Sequence, residues 1–500
     1  MRAPTAAEMR AIDAAAVARD GEVTLMRRAG EAIAALVPRY AQPGAVVGIA
    51  GAGNNGGDVF AALAALDESR PRIVYCDPTI EGSAARREAR ERARAGGVIF
   101  RPLIVDPVVL RDAGVLLDGV LGANARLPLD PVSASLVVAM NDAGPPIVAI
   151  DVPTGLDPTT GAIDELCVHA AATIALGAPK LGCFLEPGRS VIGDLWCDDL
   201  GMSDVPASEG AAHVLTNAEF IGLLPHRDGE SEKRRSGAPL ILAGSAQFPG
   251  AAVLCARGAA RAGAGYVTVA TPASAAAALR SHLIEQVVVT FDDDDAGAAA
   301  NEICDLLNHC GSIGIGPGLG LGEGVGTIVR TVIERTDLPI VADASALFHL
   351  AKHLNILRGK RVVLTPHAGE FARLSGQGTV EPPARLSRLR AFVAEHGVTT
   401  LLKGRSTLIA DPANVHVNPT GTPALATAGT GDVLTGIIAT LLAQGLPPID
   451  AARVGAYWHG RAGSIAAVAR PVGVIAGDVA EALAEAARPD AVLPGPQRIF

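Results

Sequence analysis

Two glycine-rich segments of the sequence combine acidic residues with backbone that could approach an anion. The first is Gly51–Asp58 (GAGNNGGD) and the second is Ala426–Gly436 (ATAGTGDVLTG), and each borders an apolar stretch typical of a helix. Glycine permits close backbone approach, and the free N–H groups and dipole at a helix start favour negative charge. In the second segment, Asp432 is placed to take a proton from a substrate hydroxyl that attacks a phosphate. Both segments therefore predict sites that handle phosphate.

The first segment has polar partners elsewhere in the N-terminal half. Asn54 and Asn55 supply amide oxygens that suit a hard cation, and Asp58 is in a position to cap the following helix. Three more polar side chains each follow a predicted strand, namely Asp118, Asp151 and Lys180. Ligands of open parallel sheets bind beyond the carboxyl ends of the strands, so we expect these groups to meet in one crevice. Each feature taken alone also has a structural explanation. The glycine-rich segment could be a tight turn, Asp118 and Asp151 could be cap or loop carboxylates, and Lys180 could be a solvated charge.

Three segments of the C-terminal half are expected to meet Asp432. They are the turn Gly316–Gly320 (GPGLG), the segment Thr365–Glu370 (TPHAGE) with its histidine and glutamate, and Lys403–Thr407 (KGRST), whose lysine would lie beside a nucleotide. The sequence has no Walker A lysine motif, which disfavours a P-loop NTPase. The alternatives are an N-cap role for the aspartate and a structural role for the histidine.

Parallel strands are needed to position these segments, and the hydrophobic pattern predicts them. Short apolar runs alternate with longer helical patterns along the whole chain, which is typical of an α/β protein. Strands are predicted at 45–50, 72–76, 114–117, 147–151, 173–176, 240–243, 266–270, 286–290, 312–315, 339–342, 362–365 and 399–402. A helix is predicted at 58–66, a hairpin at 406–410 and 415–418, and two long alanine-rich helices at the end of the chain.

A polar and charged stretch divides the chain. Residues 226–237 (HRDGESEKRRSG) lack apolar side chains and are bounded by glycine, which is typical of a linker. We therefore predict an N-terminal domain at 1–212, a linker region at 213–237 and a C-terminal domain at 238–500.

Composition and charge exclude several classes of protein. Of the 500 residues, 49% are hydrophobic and 19% charged, so the chain has enough apolar surface to fold. The net charge is −10 and no basic stripe is present, so we expect no nucleic-acid partner. Seven scattered cysteines without a C-x-x-C motif favour a reducing, cytoplasmic location. The sequence contains no uninterrupted apolar run of about 18 residues, so we predict no membrane span. The partners we expect are small-molecule substrates and further copies of this chain in a homo-oligomer.

The ordered motifs of the N-terminal half resemble a known family. The opening PTAAEMRAIDAAAVARDGEVTLMRRAGEAIA, then GNNGGD, DGVLG, IVAIDVPTGLDPTTG and TIALGAPKLG, are similar to the YjeF N-terminal family over Met1 to about Gly210. Members are Rossmann-like epimerases that interconvert the two epimers of hydrated NADH or NADPH, called NAD(P)HX, and that bind K⁺. This chain departs from the family pattern at Val59, where glycine is usual.

The resemblance implies roles for individual residues of the N-terminal half. Nucleotide contacts are implied for Asn54, Asn55, Gly56, Gly57 and Asp58. Substrate contacts are implied for Gly122, Ala123, Asn124, Ala125, Arg126, Leu127 and Pro128. K⁺ ligands are implied at Asn55, Asp118 and Thr154. Asp151 would contact the hydrated nicotinamide, and we expect Asp151 and Lys180 to act as the acid/base pair, because epimerisation needs transient loss and return of a hydroxyl.

The C-terminal half contains six ordered motifs, LILAGSAQFPGAAVLCARGAARAGAGYVTVATP, GPGLG, VADASALF, VVLTPHAGEFARL, LLKGRSTLI and NPTGTPALATAGTGDVLTGIIATLLAQG. These motifs resemble the YjeF C-terminal, ribokinase-like family of ADP- or ATP-dependent (S)-NAD(P)H-hydrate dehydratases. Contacts with the hydrated cofactor are implied for Ala251, Gly318, His367 and Asp432. Contacts with the adenine nucleotide are implied for Lys403, Gly404, Arg405, Ser406, Thr407 and Gly431. Two residues depart from the pattern, Ser345 where Asp is usual and Ala428 where Gly is usual.

The implied chemistry joins the two halves. Asp432 would deprotonate the hydroxyl of the hydrated ring, a nucleotide with Mg²⁺ would phosphorylate it, and phosphate elimination would restore the nicotinamide. The resemblance implies ADP as the donor, with ATP as an alternative. A chiral site acts on one epimer, so an epimerase on the same chain makes the other epimer usable. The alternatives are a small-alcohol kinase, served equally well by the GTGD motif, and a non-catalytic binding module.

Overall fold

A computed structural model describes residues 1–103, 106–124, 126–202, 210–225, 236–379, 381–490 and 496–500. The chain forms two compact units, which we describe separately. The first comprises Met1–His213 together with the end of the chain, and the second comprises Val214–Asp490. Within the described residues, no helix is both long enough and apolar enough to cross a membrane.

The first unit is built on a mostly parallel sheet. From one edge to the other, its strands are Gln497–Arg498, Asp194–Asp198, Ala172–Leu176, Ile147–Ile150, Ala113–Gly119, Ala45–Ala50, Arg72–Cys76 and Ile99–Pro102. All neighbouring pairs are parallel except the pair that contains Gln497–Arg498. Counted along the chain from Ala45–Ala50, the seven parallel strands take the order 3-2-1-4-5-6-7, and the first six follow the order of dinucleotide-binding Rossmann folds.

Helices cover both faces of this sheet. They are Ala6–Asp20, Glu22–Leu36, Asn54–Ala65, Ala84–Ala95, Pro107–Leu110 and Pro131–Ala143. On one face, Ile33, Phe60 and Leu63 pack with Val74 in a buried cluster. On the other face, Val137 and Met140 pack against the sheet in a second buried cluster. Strands buried on both faces read as continuous apolar runs, which is why their positions are visible in the sequence.

The second unit has a larger mixed sheet. Across it, the strands are Val415–Val417, Leu408–Ala410, Thr399–Leu402, Val362–Leu364, Ile340–Ala342, Ser312–Ile315, Pro239–Leu242, Thr268–Pro272 and Val287–Phe291. Only the two pairs that contain Leu408–Ala410 are antiparallel within this set of described strands. The helices are Asn217–Leu223, Pro249–Arg261, Ala276–Arg280, Ala296–Leu307, Glu323–Arg335, Ser345–Leu350, Ala368–Leu374, Arg385–His396, Thr430–Ala443, Pro448–Ala469 and Ala476–Ala486.

The helix that begins the second predicted site is packed deep in this unit. Helix Thr430–Ala443 lies against helix Pro249–Arg261 at a distance that only glycine allows. A Cβ on Gly436 would lie 2.0 Å from the carbonyl oxygen of Cys255, and one on Gly258 would lie 2.4 Å from that of Val433. The abundance of glycine and alanine in these segments thus permits close helix packing, which fixes the start of the helix.

The strand predictions are confirmed to within a few residues, including the hairpin. The strands Ile99–Pro102 and Asp194–Asp198 were missed, as were the short strands Arg2–Ala3, Ala212–Val214 and Gln497–Arg498. Ile99–Pro102 is an exposed edge strand, and Asp194–Asp198 carries a carboxylate at each end, so neither reads as a buried apolar run. The helix predicted at 58–66 spans Asn54–Ala65. The prediction that Asp58 caps this helix is wrong, because the cap residue is Gly53 and Asp58 lies one turn inside.

The compact units divide the chain differently from the predicted domains. Within the predicted linker region, Asn217–Leu223 is a helix whose Phe220 is fully buried in the core of the second unit. Residues 226–235 of that region lie outside the described residues. The last residues, assigned by the sequence to the C-terminal domain, pair with the first unit through Gln497 and Arg498.

Candidate active sites

The first site begins at the turn between strand Ala45–Ala50 and helix Asn54–Ala65. A Cβ on Gly51 would lie 1.9 Å from the carbonyl oxygen of Val120, so only glycine fits where the chain leaves the sheet. The cap residue Gly53 provides no side chain, and nothing lies within 4 Å of the position a Cβ would take there. The first N–H groups of the helix are thus open to an anionic ligand.

Val59, the departure from the family pattern, is accommodated by glycine on the neighbouring strands. Its side chain is fully buried. A Cβ on Gly48 or on Gly119 would lie 2.3 or 2.2 Å from a methyl carbon of Val59. The turn keeps its geometry because the bulk of valine fills space that these two glycines leave open.

Asp118, Thr154 and Asn55 meet beneath this turn, as predicted. The Thr154 hydroxyl donates to Asp118 Oδ1 at 2.7 Å, and the Thr154 N–H donates to Oδ2 at 2.8 Å. Asn55 Nδ2 donates to the carbonyl oxygens of Leu121 and Ile150 at 2.9 and 3.1 Å. Asp118 is fully buried, and burial raises its pKa to about 6, against the lowering effect of its hydrogen bonds.

These three residues fit a K⁺ ion in chemistry and in charge. They provide a carboxylate, a hydroxyl and an amide oxygen, which are hard ligands. Since Asn55 Nδ2 is held by two carbonyl groups, its Oδ1 is the atom left to face a cation. Among the described residues, no cationic side chain forms a salt bridge with Asp118. A bound monovalent cation would neutralise this buried carboxylate.

Asp151 and Lys180 form a buried ion pair at the carboxyl edge of the same sheet. Lys180 Nζ donates to Asp151 Oδ1 and, at 2.9 Å, to the carbonyl oxygen of Leu176. The Lys180 side chain is 1% exposed, while that of Asp151 is 14% exposed and so reachable by a ligand. Burial alone would lower the pKa of Lys180, but the Asp151 carboxylate outweighs burial and raises it. Asp151 also has a φ of 70°, a strained conformation for this residue type.

Further carboxylates surround this ion pair. Asp58 and Asp13 both sense the charges of Asp151 and Lys180, and burial is the main cause that raises the pKa of each. Asp13 lies on helix Ala6–Asp20 and was not predicted as a site residue. Little in the sequence indicated a role for Asp13, because the opening segment has the pattern of an ordinary charged helix. The arrangement concentrates acidic groups around one buried ammonium, which favours proton sharing among them.

The predicted substrate loop at 122–128 lies beside these groups. The Ala123 N–H donates to Asp151 Oδ2 at 3.3 Å, and a Cβ on Gly122 would lie 3.2 Å from Asn55 Cγ. Asn124 and Arg126 are exposed, whereas Ala125 lies outside the described residues. Asn54 is exposed and donates to Glu22 at 2.8 Å instead of pointing at the buried pair.

The second site is centred on Asp432 at the start of helix Thr430–Ala443. The preceding Gly429 adopts a left-handed conformation with a φ of 91°, and no side chain caps the helix. Asp432 is the third residue of the helix, near the positive end of the helix dipole. Burial and the neighbouring Asp343 carboxylate raise the pKa of Asp432 to about 7, while the Lys403 ammonium acts in the opposite direction. A carboxylate with this proton affinity is suited to general-base catalysis at neutral pH.

Lys403 lies beside Asp432 but is paired with a different carboxylate. Its Nζ donates to Asp343 Oδ1 at 2.7 Å, and the Thr435 hydroxyl donates to Asp343 Oδ2 at 2.9 Å. Burial alone would lower the pKa of Lys403, but Asp343 and Glu370 outweigh burial and raise it. A Cβ on Gly431 would lie 3.4 Å from Lys403 Nζ, so the predicted pair Lys403 and Gly431 meets in space.

The other predicted residues of the second site divide into neighbouring groups. A Cβ on Gly318 would lie 2.8 Å from that of Ala251, so these two substrate candidates are adjacent. His367 caps helix Ala368–Leu374 through Nδ1, which accepts the N–H groups of Gly369 and Glu370 at 3.0 and 3.3 Å. Its side chain is 61% exposed, so a structural role and a ligand contact through Nε2 are compatible.

The nucleotide candidates after Lys403 lie on the turn between two strands. Thr407 Oγ1 donates to the carbonyl oxygen of Gly404 at 2.8 Å, and the guanidinium of Arg385 donates to the carbonyl oxygen of Lys403 at 2.8 Å. Ser406 is buried, while Arg405 is exposed. Arg385 therefore holds this turn in place through a backbone carbonyl group.

Asp343 is the main functional candidate that sequence reasoning missed. It lies in the quoted motif VADASALF, at the end of strand Ile340–Ala342. Its position directly after a buried apolar strand could have identified it as a site residue, as the same position did for Asp118. Ser345, the departure in the same motif, accepts the N–H of Gly320 at 3.1 Å through its hydroxyl. The structure offers no role for the exposed Ala428.

Within the described residues, no group of three or more His, Cys, Asp or Glu side chains is arranged to hold a metal ion. Mg²⁺ usually keeps several waters and binds through one or two carboxylates together with substrate phosphates. Glu370, which lies near Lys403, fits that pattern once a nucleotide supplies the phosphates, and Asp432 is left to act as the base.

A Rossmann-like unit with a buried acid–ammonium pair and an α/β unit with an aspartate at a glycine-capped helix define a two-domain, nucleotide-using enzyme. Comparisons with known proteins agree with this class. Residues 22–182 match the family model described as YjeF-related protein N-terminus, and residues 239–485 match the model described as NAD(P)H-hydrate dehydratase.

The similarity to one curated relative extends over nearly the whole chain. The bifunctional NAD(P)H-hydrate repair enzyme of Moorella thermoacetica is 34% identical over 506 aligned positions, covering 96% of this chain and 95% of the relative. The chain belongs to the family of bifunctional NAD(P)H-hydrate repair enzymes. The predicted family, α/β fold class, function and enzyme class are thereby confirmed, whereas the roles of individual residues stay predictions.

Solved structures resemble the second unit. A ribokinase-like superfamily protein from Enterococcus faecalis is 28% identical with a TM-score of 0.51, covering 56% of this chain and 97% of that protein. This likeness supports the predicted ribokinase-like fold. An ADP/ATP-dependent NAD(P)H-hydrate dehydratase from Bacillus subtilis, co-crystallised with ATP and Mg²⁺, is 32% identical with a TM-score of 0.48, covering 54% of this chain and 96% of that protein.

Proposed function

We propose that this chain repairs hydrated NADH and NADPH with a separate active site in each unit. The first unit interconverts the R and S epimers of NAD(P)HX, and the second converts the S epimer to NAD(P)H at the expense of ADP. The observation that carries the proposal is the Asp432 carboxylate, which has a pKa of about 7 at the open start of a glycine-capped helix. Such a group is able to activate a hydroxyl toward a phosphate.

In the first unit, Asp151 and Lys180 perform the proton transfers of epimerisation. Loss of the hydroxyl from the hydrate carbon needs a proton donor, and return of water from the other face needs an acceptor. The Asp151 carboxylate is partly exposed, and the buried Lys180 ammonium supplies or withdraws a proton through it. Asn55, Asp118 and Thr154 would hold K⁺, which supplies a fixed positive charge near the substrate. The Gly51–Gly53 turn and the first N–H groups of the following helix bind the anionic part of the dinucleotide.

In the second unit, Asp432 takes the proton of the hydroxyl on the hydrated ring. That oxygen then attacks the terminal phosphorus of ADP, and AMP leaves. Breaking the carbon–oxygen bond releases inorganic phosphate, and loss of a proton from the neighbouring ring carbon restores NAD(P)H. Phosphorylation is needed because hydroxide is a poor leaving group and phosphate is a good one. Ala251, Gly318 and His367 would bind the hydrated nucleotide in this reaction.

The nucleotide that donates the phosphoryl group binds next to Lys403. The backbone of residues 403–407 and Gly431 would contact the adenine nucleotide, and the glycine-rich helix start would receive the charge that develops on the transferred phosphoryl group. Glu370 would hold Mg²⁺ together with the phosphates, and the ion would shield negative charge during transfer.

A coupled assay tests the proposal. The protein is incubated with a mixture of NADHX epimers and either ADP or ATP, with and without K⁺, and the near-ultraviolet absorbance of NADH is followed. We expect ADP-dependent conversion of the entire mixture. Conversion of only half would contradict the epimerase, and no NADH from a protein that still binds nucleotide would favour the small-alcohol kinase.

The expectations of a homo-oligomer and a cytoplasmic location stay predictions. Light scattering of the purified chain, and fractionation of cells that produce it, test them separately.

A further inference from the structure

Asp343 is a buried carboxylate at the second site that has no part in the chemistry proposed above. It is 2% exposed and directly follows strand Ile340–Ala342. Its N–H donates to the carbonyl oxygen of Ile315 at 3.0 Å, and a Cβ on Gly316 would lie 1.9 Å from the Asp343 carbonyl oxygen. Ala344, which follows, has a φ of 49°, a strained value for alanine. The backbone is therefore held in one place at this position.

The Asp343 carboxylate connects two elements that both carry site residues. Oδ1 accepts from Lys403 Nζ at 2.7 Å, and Oδ2 accepts from the Thr435 hydroxyl at 2.9 Å. Thr435 lies one helical turn after Asp432, and its hydroxyl oxygen is also 3.1 Å from the carbonyl oxygen of Gly431, so the two acceptors share its single hydrogen. The carboxylate thus ties the second turn of the catalytic helix to the lysine.

This connection decides which carboxylate the lysine neutralises. An ammonium paired directly with Asp432 would stabilise its ionised form and make it a weaker base. Among the described residues, however, Lys403 forms a salt bridge with Asp343 and none with Asp432. The negative charge of Asp343 also disfavours a second ionised carboxylate nearby, in agreement with the raised pKa of Asp432.

We propose that Asp343 is a positioning residue of the dehydration site, which holds the Lys403 ammonium away from Asp432 and so leaves the Asp432 carboxylate free to take the hydroxyl proton. This inference rests on the proposed function. It assigns Asp343 no contact with substrate. It explains why a buried carboxylate and a partly buried ammonium lie beside the catalytic base.

The pH dependence of dehydration tests the proposal with Asp343→Asn in the full chain. Asparagine keeps the size and a hydrogen-bond acceptor but loses the charge, so Lys403 turns to Asp432. We expect the acid limb of kcat/KM for S-NADHX to move down by about one pH unit. We also expect kcat above that limb to fall about tenfold, because the base is weaker. Asp337→Asn, at a fully exposed carboxylate of the same unit, is the control and should leave both quantities unchanged.

Thr435→Val separates the charge of Asp343 from its tether to the helix. This variant removes the hydroxyl and leaves the Asp343–Lys403 pair, so we expect a lower kcat with the acid limb unmoved. An unmoved acid limb in Asp343→Asn, or an equal shift in Thr435→Val, would overturn the proposal. Circular dichroism establishes that each variant is folded, and if Asp343→Asn is not, a shifted limb in Thr435→Val still overturns it. A parent enzyme without dehydratase activity would instead overturn the proposed function itself.

Discussion

The two units each place a carboxylate next to a lysine, which is buried in the first unit and partly buried in the second, but they connect the two groups in opposite ways. In the first unit, Lys180 is bonded directly to Asp151, the expected acid/base residue. In the second unit, Lys403 is bonded to Asp343, and the expected base Asp432 is left without a salt bridge among the described residues. The pKa of Asp432 is raised to about 7 by burial and by Asp343.

This difference matches the chemistry expected of each site. Epimerisation requires a proton to be given and taken back, which a directly bonded acid–ammonium pair allows with little change in geometry. Phosphoryl transfer requires a base strong enough to remove a hydroxyl proton, and a directly bonded ammonium would weaken that base. Asp343, which pairs with the lysine of the second site, therefore sets what Asp432 is able to do, whereas Lys180 pairs with Asp151 itself.

The largest expected effect comes from Asp432→Asn, which removes the base from one site only. Dehydration of S-NADHX should fall about a thousandfold or more, since general-base catalysis and phosphoryl positioning are both lost. Epimerisation of the R epimer, followed by chiral chromatography, should stay within about twofold. Loss of both activities would contradict the independence of the two sites. Asp337→Asn is the matched control.

The complementary change, Asp151→Asn, should affect only the other site. We expect epimerisation to fall about a hundredfold, because the acid/base carboxylate is gone. Dehydration of pure S-NADHX should be unaffected. The buried Lys180 also loses its counter-charge, which should cost the first unit about 3 kcal/mol of unfolding free energy. Asp112→Asn, at an exposed carboxylate of the same unit, serves as the control for both measurements.

Replacement of K⁺ by a large organic cation should have a smaller effect, but it should still affect epimerisation more than dehydration. We expect epimerisation to fall about tenfold and dehydration to change little, since Asp118 belongs to the first site alone. K⁺ should raise the thermal stability of the parent at pH 8 but not that of Asp118→Asn. Equal inhibition of both activities would count against the site formed by Asn55, Asp118 and Thr154.

The smallest effect concerns the stability of the second unit. The pKa of Asp432 is about 7 in the folded chain and near its ordinary 3.8 when unfolded, so the folded state binds more protons between these values. Stability therefore falls as pH rises from about 4 to 7. Asp432→Asn should remove this dependence and raise the unfolding free energy at pH 8, with no gain at pH 4.

Tryptophan fluorescence provides a local measurement of this effect. Trp458 is buried in the second unit, and the other tryptophan, Trp196, lies in the first. Denaturant unfolding in a Trp196→Phe background therefore reports on the second unit. If Asp432→Asn is no more stable than its parent at pH 8, the ionised Asp432 carboxylate does not destabilise the folded second unit.

The sequence by itself determined the α/β class, most strands, both glycine-rich turns and the family. These features are local: a strand buried on both faces is a continuous apolar run, and a turn that admits only glycine, such as Gly51, shows glycine in the sequence. The residues at strand ends were also predictable, because parallel strands bring their carboxyl ends to one edge. Asp118 and Thr154 meet as expected for this reason.

Beyond the expected pair of Asp151 and Lys180, only the tertiary structure decided which charged groups are partners. Lys403 and Asp343 are 60 positions apart in the chain, and Asp13 reaches the neighbourhood of Lys180 from the opening helix. Pairing of this kind depends on how helices and strands pack, and it changes with displacements of an ångström that leave the sequence pattern unaltered. Burial acts in the same way: the proton affinity of Asp432 comes from the solvent that packing removes and from the carboxylate placed beside it, neither of which a linear sequence displays.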